Sequence, residues 1–291
     1  MRLHRKSQSH RGEGFNALPS LYILNMNWSA VITTYNSGSV IEKALSSIFE
    51  LPSEEQPSDV VVVDNHSTDS TLQVLDRWKE KTIQIRNTSN LGLAAANAIG
   101  AGEASGESLF FLNPDVELIP GAVTELKSFQ NTHSEAGLMG PSMVDSSGRI
   151  QSTARTWPSP SVVASRRTFL GNTALGMKLA QSHLNRFHSD KLPVMTHWLV
   201  GAALWVTPEG KRRAGLMSEK YFLYFEDVEW CWRMWKRGME VWYVPEARIR
   251  HVCQRESAKG GRTLRYHLRS MIRFYLTHPS VLFGMGPGGS R

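Results

Sequence analysis

Three carboxylates, Glu226, Asp227 and Glu229, fall within four positions of the stretch YFLYFEDVEWCWR at residues 221–233. Tyr221, Phe222, Tyr224 and Phe225 precede them; Trp230 and Trp232 follow. A carboxylate among aromatic rings is costly to desolvate unless a proton, a cation or a hydrogen-bonding partner accompanies it. An acid placed this way can serve as a general base. Helical spacing separates the three. Glu229 stands four residues before Arg233, the favourable order for an ion pair, and Glu226 lies three before Glu229, within reach of the same pair. Asp227 faces Trp230, Cys231 and Met234 instead. It is the acid without an obvious local partner, hence the candidate base, with helix capping as the competing reading.

A base needs a substrate opposite it, and four other clusters offer one. Asn113-Pro114-Asp115 closes an apolar run. An aspartate there can hold a hard divalent cation, because Mg²⁺ takes one or two carboxylates plus phosphate oxygens and water; the triplet reads equally as a plain turn. Asp64-Asn65 directly follows four valines. A carboxylate at such an edge can accept N–H groups of a nucleobase or hydroxyls of a ribose, while the competing reading is capping of the next helix by Ser67 or Asp69. Asn90-Leu91-Gly92 opens a helix that reaches Asn97; free N–H groups at a helix entry favour anions, and a simple cap is the alternative. His251 could add a nitrogen ligand to a cation at Asp115, or be structural. No Walker P-loop and no GxGxxG opens the first helix, which argues against a P-loop ATPase or a dinucleotide enzyme.

These groups act together only if the chain gathers them. Residues 29–34 read as a buried strand ending in Tyr35-Asn36-Ser37-Gly38, and Val40, Ile41, Ala44, Leu45 and Ile48 recur at helical spacing. Residues 59–63 carry the valines of a strand covered on both faces. A helix through Leu72, Leu75 and Trp78, a short strand at 82–85, an Ala-rich helix at 93–104 and a strand at 108–112 come next. This alternation predicts an α/β fold with a largely parallel sheet flanked by helices. Ligands of such sheets bind beyond the C-terminal strand ends, which here carry Thr34-Tyr35-Asn36, Asp64-Asn65 and Asn113-Pro114-Asp115. Past Asp115 the rhythm changes. We expect a helix at 121–131, strands at 138–144 and 150–153 paired across Asp145-Ser146-Ser147-Gly148, and an irregular lid or insertion over 155–196. A strand at 197–207, with Gly201 permitting close approach, a helix at 208–215 and a strand at 240–244 complete this part.

The 291 residues, 41% hydrophobic and 20% charged, can bury the core of one large domain or two small ones. Residues 228–291 hold 12 Lys or Arg against 4 Asp or Glu, so the net charge of +7 belongs to this end. A helix at 262–276 sets Leu264, Leu268, Met271, Ile272 and Tyr275 on one face and Arg262, Arg265, Arg269 and Arg273 on another. That pattern suits either an anionic membrane surface or packing on the domain with a solvated basic face. The charge alone does not make a nucleic-acid binder, since no recognised nucleic-acid module accompanies it. Cys231 and Cys253 read as free, partly buried thiols. The first 25 residues lack the apolar core of a signal peptide, and no run is long enough for a membrane span. The expected location is the cytoplasm. Met26, just ahead of the first strand, reads as an alternative start.

Taken together, the motifs resemble family 2 glycosyltransferases of the GT-A fold, above all bacterial rhamnosyltransferase-like members. The resemblance covers about residues 28–278. It rests on Val31-Ile32-Thr33-Thr34-Tyr35-Asn36, Val63-Asp64-Asn65-His66-Ser67-Thr68-Asp69, Asn90-Leu91-Gly92 with Asn97, and Asn113-Pro114-Asp115. Further pieces are Arg155-Thr156-Trp157-Pro158-Ser159, Gly201-Ala202-Ala203, Tyr224-Phe225-Glu226-Asp227-Val228-Glu229, and Val244-Pro245-Glu246-Ala247 before His251. It implies a Rossmann-like sheet with a smaller acceptor-side subregion. Residues 1–27 would be a mobile extension, 28–120 the nucleotide-sugar half, 121–261 the acceptor and catalytic half, 262–278 the basic amphipathic helix and 279–291 a flexible tail.

The resemblance also implies roles. Thr34, Tyr35, Asn36, Asp64, Asn65, Asn90, Gly92 and Asn97 would surround a nucleotide sugar, dTDP-rhamnose or a UDP-sugar. Asn113, Arg155, Gly201 and Glu226 would complete the substrate site. Asp115 and His251 would bind Mg²⁺ or Mn²⁺, and Asp227 would be the base of an inverting transfer. The acceptor would be a saccharide, lipid-linked or soluble, in cell-surface polysaccharide synthesis, at the inner face of the membrane. A degenerate domain that only binds nucleotide sugars is the alternative; the presence of Asp64, Asp115 and Asp227 counts against it. Three positions depart from the family pattern. Asn113 replaces the first Asp of an Asp-x-Asp triplet, Glu229 stands where Asp is more usual, and residues 252–257 differ from the small, Gly-containing segment often seen there.

Overall fold

Val60, Val61, Val62 and Val63 are all buried, and alternate members enter packing clusters on opposite faces of one sheet. Four apolar residues in a row demand this, because successive side chains of a strand point to opposite sides. The computed structural model describes residues 26–167, 172–185, 191–252 and 261–287. The extension expected over 1–27 falls almost wholly outside them, and so does Cys253.

In chain order the elements are β1 (Trp28–Thr34), α1 (Ile41–Phe49), β2 (Asp59–Asp64), α2 (Thr71–Arg77), β3 (Ile83–Arg86), α3 (Leu93–Glu103) and β4 (Ser108–Leu112). Then come β5 (Val116–Leu118), α4 (Ala122–Thr132), β6 (Ala136–Val144), β7 (Ile150–Gln151), β8 (Ala154–Arg155), α5 (Pro160–Arg167) and α6 (Ala174–Asn185). The last are β9 (Val194–Met195), β10 (Trp198–Leu199), β11 (Ala203–Val206), α7 (Pro208–Ala214), α8 (Glu226–Lys236), β12 (Glu240–His251) and α9 (Arg262–Thr277), with a 3-10 turn at Pro279–Phe283 after them. The main sheet runs β3-β2-β1-β4-β11-β6-β12-β5. Its first four strands are parallel. β11 enters antiparallel to β4 and β6, and β12 runs parallel to β6. Trp28, Ile32, Phe110 and Trp205 pack on one face with α1 and α4; Val31, Phe111 and Leu204 pack on the other with α8 and α9. No helix among the described residues is long and apolar enough to cross a membrane.

Four local expectations give way. The strand expected over 197–207 is broken: β10 pairs with β8 in a separate two-stranded sheet, and only β11 joins the main sheet. The turn between them carries Gly201. The stretch 155–196, read as irregular, holds two helices; Pro160 opens α5 at a position where its missing N–H is no loss. The strand expected to stop at Val244 runs on to His251. Pro245 has no N–H for the ladder, and the pairing to β6 shifts register between Val244 and Arg248, so the strand bulges and continues. The tail expected at 279–291 begins with the 3-10 turn, whose Val281 is buried.

Candidate functional site

The bulge in β12 sets the first half of the site. Beyond it, Ile249, Arg250 and His251 pair antiparallel with β5, His251 lying opposite Val116. The N–H of Val252 donates to the carbonyl of Asp115 at 3.1 Å. His251 Nε2 then stands 3.5 Å from Asp115 Oδ1. Gln151, on β7, grips the histidine from behind: its Nε2 donates to the His251 carbonyl at 2.9 Å, and its Oε1 meets His251 Nδ1 at 2.9 Å. Only the amide nitrogen can donate to a carbonyl, so Oε1 is the end that accepts, and Nδ1 carries the imidazole proton. In the neutral ring Nε2 then presents its lone pair toward Asp115. Two acceptors thus face each other at a distance longer than the usual ~2.9 Å of an N–H···O bond. Ligands at ~2.1 Å around one octahedral Mg²⁺ lie about 3 Å apart. The pair therefore has the donor set and spacing of a small divalent-cation site. Among the described residues no group of three or more His, Cys, Asp or Glu could hold a metal; a cation here would draw its other ligands from substrate and water.

The second half is Asp227, in the first turn of α8. Its Oδ2 accepts the N–H of Gly201 at 2.9 Å, and its Oδ1 accepts that of Val228 at 2.8 Å. A Cβ added at Gly201 would meet Asp227 Cβ at 3.2 Å and Oδ2 at 3.3 Å, so a larger residue here would push the acid by a few tenths of an ångström. Burial pushes the Asp227 carboxyl above the usual aspartate range; the Gly201 and Val228 N–H groups and the Arg155 guanidinium pull it back. Glu226 differs. It is 4% exposed, and its Oε2 has no hydrogen-bond partner among the described residues. Burial, then the charge of Asp227, raise it well above the ordinary glutamate range. With two donors on Asp227 and an orphaned oxygen on Glu226, the surroundings favour the charged form of Asp227 more than that of Glu226. Glu229 pairs bidentately with Arg233, at 3.0 and 2.8 Å, as the spacing predicts; Glu226 takes no part in that pair.

His251 and Asp227 line the same cavity, of about 860 Å³. Arg155 and Trp198 form part of its wall, the guanidinium carbon 5.1 Å from the centre of the indole ring. Asn113 is tied to the same construction, since its N–H donates to the carbonyl of Ala202 at 2.8 Å, one residue after Gly201. Glu226 is not brought to this cavity.

The remaining residues gather at the ends of β1 and β2, where Thr34 lies opposite Asp64. Asp64 accepts the N–H of Ser67 on Oδ2 at 3.0 Å, but its buried Oδ1 and the buried Oγ1 of Thr34 have no partner among the described residues. Such atoms are costly unless a ligand or water meets them. Tyr35 is half-exposed beside them. Asn36 closes the adjoining loop, accepting the Thr68 N–H at 2.8 Å. Three expected contact residues are occupied internally. Asn65 accepts from Asn87 at 3.1 Å and from Leu91 N–H at 2.9 Å, and donates to Asn90 and to the Gly92 carbonyl. Asn97 accepts from Thr33 at 2.7 Å and is buried. The entry to α3 offers few free N–H groups: Gly92 donates to Asn90 Oδ1 at 3.0 Å and Leu93 to the carbonyl of Phe222 at 2.9 Å. Gly92, at φ +88°, leaves no room for a Cβ against Phe222. The loop docks the acidic-aromatic stretch onto the sheet where an anion site was expected.

Residues 29–190, more than half of the chain, match the family described as Glycosyl transferase family 2. The chain belongs to this family. Its sequence is 29% identical over 233 residues to an N-acetylglucosaminyl-diphospho-decaprenol L-rhamnosyltransferase of Mycobacterium tuberculosis, across 76% of this chain and 74% of that one. It is 26% identical over 239 residues to the dTDP-rhamnosyl transferase RfbF of Shigella flexneri, across 81% and 72%. Its fold is similar to GalNAc-T7 solved with UDP, GalNAc and Mn²⁺, with a TM-score of 0.62 at 18% identity over 87% of this chain and 50% of that one. It is similar also to S. aureus TarS 1–349 in complex with UDP, with a TM-score of 0.53 at 18% identity over 85% and 66%. The α/β GT-A fold and the glycosyltransferase class expected from the motifs are borne out.

Two features of this family 2 glycosyltransferase escaped the sequence. Gln151 gave no signal, because its partner lies 100 residues away. Tyr224 and Phe225, with φ of 67° and 65°, form consecutive left-handed residues immediately before α8. That conformation costs each non-glycine residue about 1–2 kcal/mol, so about 2–4 kcal/mol for the two. Burying Phe225, which packs on His267 and Phe274, offsets part of this, about 1.5–3 kcal/mol. The kink sets the first turn of α8, and so Asp227, against Gly201.

Proposed function

We propose that this glycosyltransferase moves a sugar, rhamnose by likeness to its relatives, from a nucleoside-diphosphate donor to a hydroxyl of a saccharide acceptor, with inversion. The observation that carries the reading is the single cavity shared by His251 and Asp227. The acceptor hydroxyl enters it and lies against Asp227. Its oxygen forms the new bond to the anomeric carbon as the bond to the diphosphate oxygen breaks, and Asp227 takes the hydroxyl proton. Two of the carboxylate's acceptor sites already hold N–H groups, which leaves capacity for that proton and fixes the group's direction.

Asp115 and His251 would hold Mg²⁺ or Mn²⁺, whose chemistry is to offset the charge that develops on the departing diphosphate. Thr34 and Asp64 would meet the base and ribose with their orphaned oxygens, and Tyr35 would cover them. Asn65, Asn90 and Asn97 would act by shaping this pocket. Arg155 would hold the acceptor side while restraining the Asp227 charge. The name of the mycobacterial relative specifies a lipid diphosphate acceptor; a lipid-linked saccharide of cell-surface polysaccharide synthesis, met at the cytoplasmic membrane face, is the acceptor class we assign here.

A thermal-shift series with dTDP-, UDP- and GDP-sugars, with and without Mn²⁺, tests the donor. Stabilisation by one nucleotide class, increased by Mn²⁺, is expected. No shift with any of them contradicts the assignment.

A further inference from the structure

The C-terminal helix divides the apolar face that its sequence predicts. Leu264, Leu268, Met271, Ile272 and Tyr275 read as one face, suited to a membrane surface or to packing on the domain; Met271 and Tyr275 pack on the core, and the other three are exposed. Phe274 and Ser270 are buried, and Ser270 donates to the Leu223 carbonyl at 2.9 Å. Tyr275 donates to the Pro158 carbonyl at 2.6 Å, and the Tyr266 ring sits 4.5 Å from Phe222. The helix is anchored to the cavity wall on this side, and His267 lines the cavity itself. Its other side is a ridge at four-residue spacing. Leu264 is 45% exposed, Leu268 43%, Ile272 54% and Leu276 78%; Leu282 and Phe283, in the 3-10 turn that follows, are exposed too, at 42% and 74%. Arg265 and Arg269 line a shallow groove of about 490 Å³ together with Leu264, Leu268 and Ile272. The helix contains no Asp or Glu.

We infer that this ridge is a docking surface for an anionic lipid bilayer. An apolar stripe flanked by arginines inserts its side chains at the headgroup boundary while the guanidinium groups meet lipid phosphates. Charge selects this occupant over two others. A second copy would bring together two chain ends that each carry 12 Lys or Arg against 4 Asp or Glu, a like-charge contact. The segment 1–25 of the same chain is also basic, with Arg2, Arg5, Lys6 and Arg11 against Glu13. An anionic surface is complementary to the ridge; these two are not. Docking of the ridge on a bilayer does not depend on the transfer chemistry. Its consequence, that a helix lying on the membrane holds the cavity beside lipid-linked acceptors, rests on the function proposed above.

The test is sedimentation of the full chain with vesicles of phosphatidylglycerol plus phosphatidylcholine, and of phosphatidylcholine alone. Two variants, Leu268→Ser/Ile272→Ser and Arg265→Glu/Arg269→Glu, are compared after thermal unfolding confirms that each folds. The wild-type chain is expected to pellet with anionic vesicles only. Each variant should bind them at least about tenfold more weakly, a size consistent with ~1 kcal/mol per arginine near such a surface. Both should transfer sugar to a water-soluble acceptor as the wild type does. The inference is overturned if anionic vesicles fail to bind the wild type, or if the Leu268/Ile272 variant binds as well as wild type, which would reduce the contact to surface charge. It is overturned too if, without lipid, these variants change the oligomeric state, which would assign the ridge to a second copy. Loss of transfer to the soluble acceptor with vesicle binding intact would count against the proposed function instead.

Discussion

Gly201 donates its backbone N–H to Asp227 Oδ2 at 2.9 Å, across 26 residues of chain. The next carbonyl, that of Ala202, accepts from Asn113. Two consecutive residues of one turn thus tie the acid of α8 to the strand end that bears Asp115. This fits the break between β10 and β11: a continuous strand would have its Gly201 N–H in the ladder, and Asp227 would lose its fixed direction.

Gly201→Ala should therefore harm turnover more than stability. The new methyl would press on Asp227 Cβ and Oδ2, which must give by a few tenths of an ångström; since about 1 Å can cost about 100-fold in rate, a several-fold loss is expected. Steady-state kinetics should show a fall in kcat with the KM for donor little changed and the unfolding temperature within a few degrees of wild type. An unchanged kcat would separate this turn from the chemistry.

Gln151→Leu removes the group that fixes the His251 tautomer. Loss of such an outer partner typically weakens metal binding about 10–100-fold. Calorimetric titration of Mn²⁺ in the presence of the nucleoside diphosphate should register that loss. Gln151→Glu, which keeps an acceptor at Nδ1 but loses the donor to the His251 carbonyl, should recover only part of it. Equal affinities for wild type and the leucine variant would deny His251 its place beside Asp115.

Glu226→Gln should flatten the pH dependence of stability. The folded chain keeps the Glu226 proton well above the usual value of 4.5, while the unfolded chain releases it there. Between those two values the folded state binds more protons, so the Glu226 contribution to stability is complete at low pH and declines as pH rises toward the folded value. Chemical denaturation from pH 4 to 9, on the order of five pH units, should show the variant losing less stability than wild type as pH rises above 4.5. Parallel curves would mean that Glu226 ionises freely in the fold.

Much of this was legible in the sequence because apolar runs and the polar residues that end them are local signals. The valines of β2 placed Asp64 at a strand end, and β4 placed Asp115 near one. The i, i+4 spacing identified Glu229 and Arg233 as partners. What was hidden depends on distant chain. Pro245 reads as a strand terminator, yet β12 absorbs it in a bulge because β5 and β6 pair with Arg248, Ile249 and Arg250 beyond it. At Asn65 and Asn97 an amide at a strand end or helix start has the same local sequence whether it faces a ligand or a loop, and their hydrogen bonds from Asn87, Leu91 and Thr33 come from distant chain. Gln151 and Gly201 act through residues 100 and 26 positions away, which no periodicity reports. In α9 the apolar residues cover more than one face, so spacing alone could not decide which of them the domain buries.

The most direct measurement compares Asp227→Asn with wild type, in sugar transfer and in donor binding. Asparagine keeps the size of the group and an oxygen for the Gly201 N–H, but it cannot accept the hydroxyl proton. Transfer should fall at least about 100-fold, the lower range for loss of a general base, while the donor dissociation constant stays within about threefold, below ~0.7 kcal/mol. Transfer near the wild-type rate would contradict the assignment of Asp227 as the base, and with it the account of the cavity.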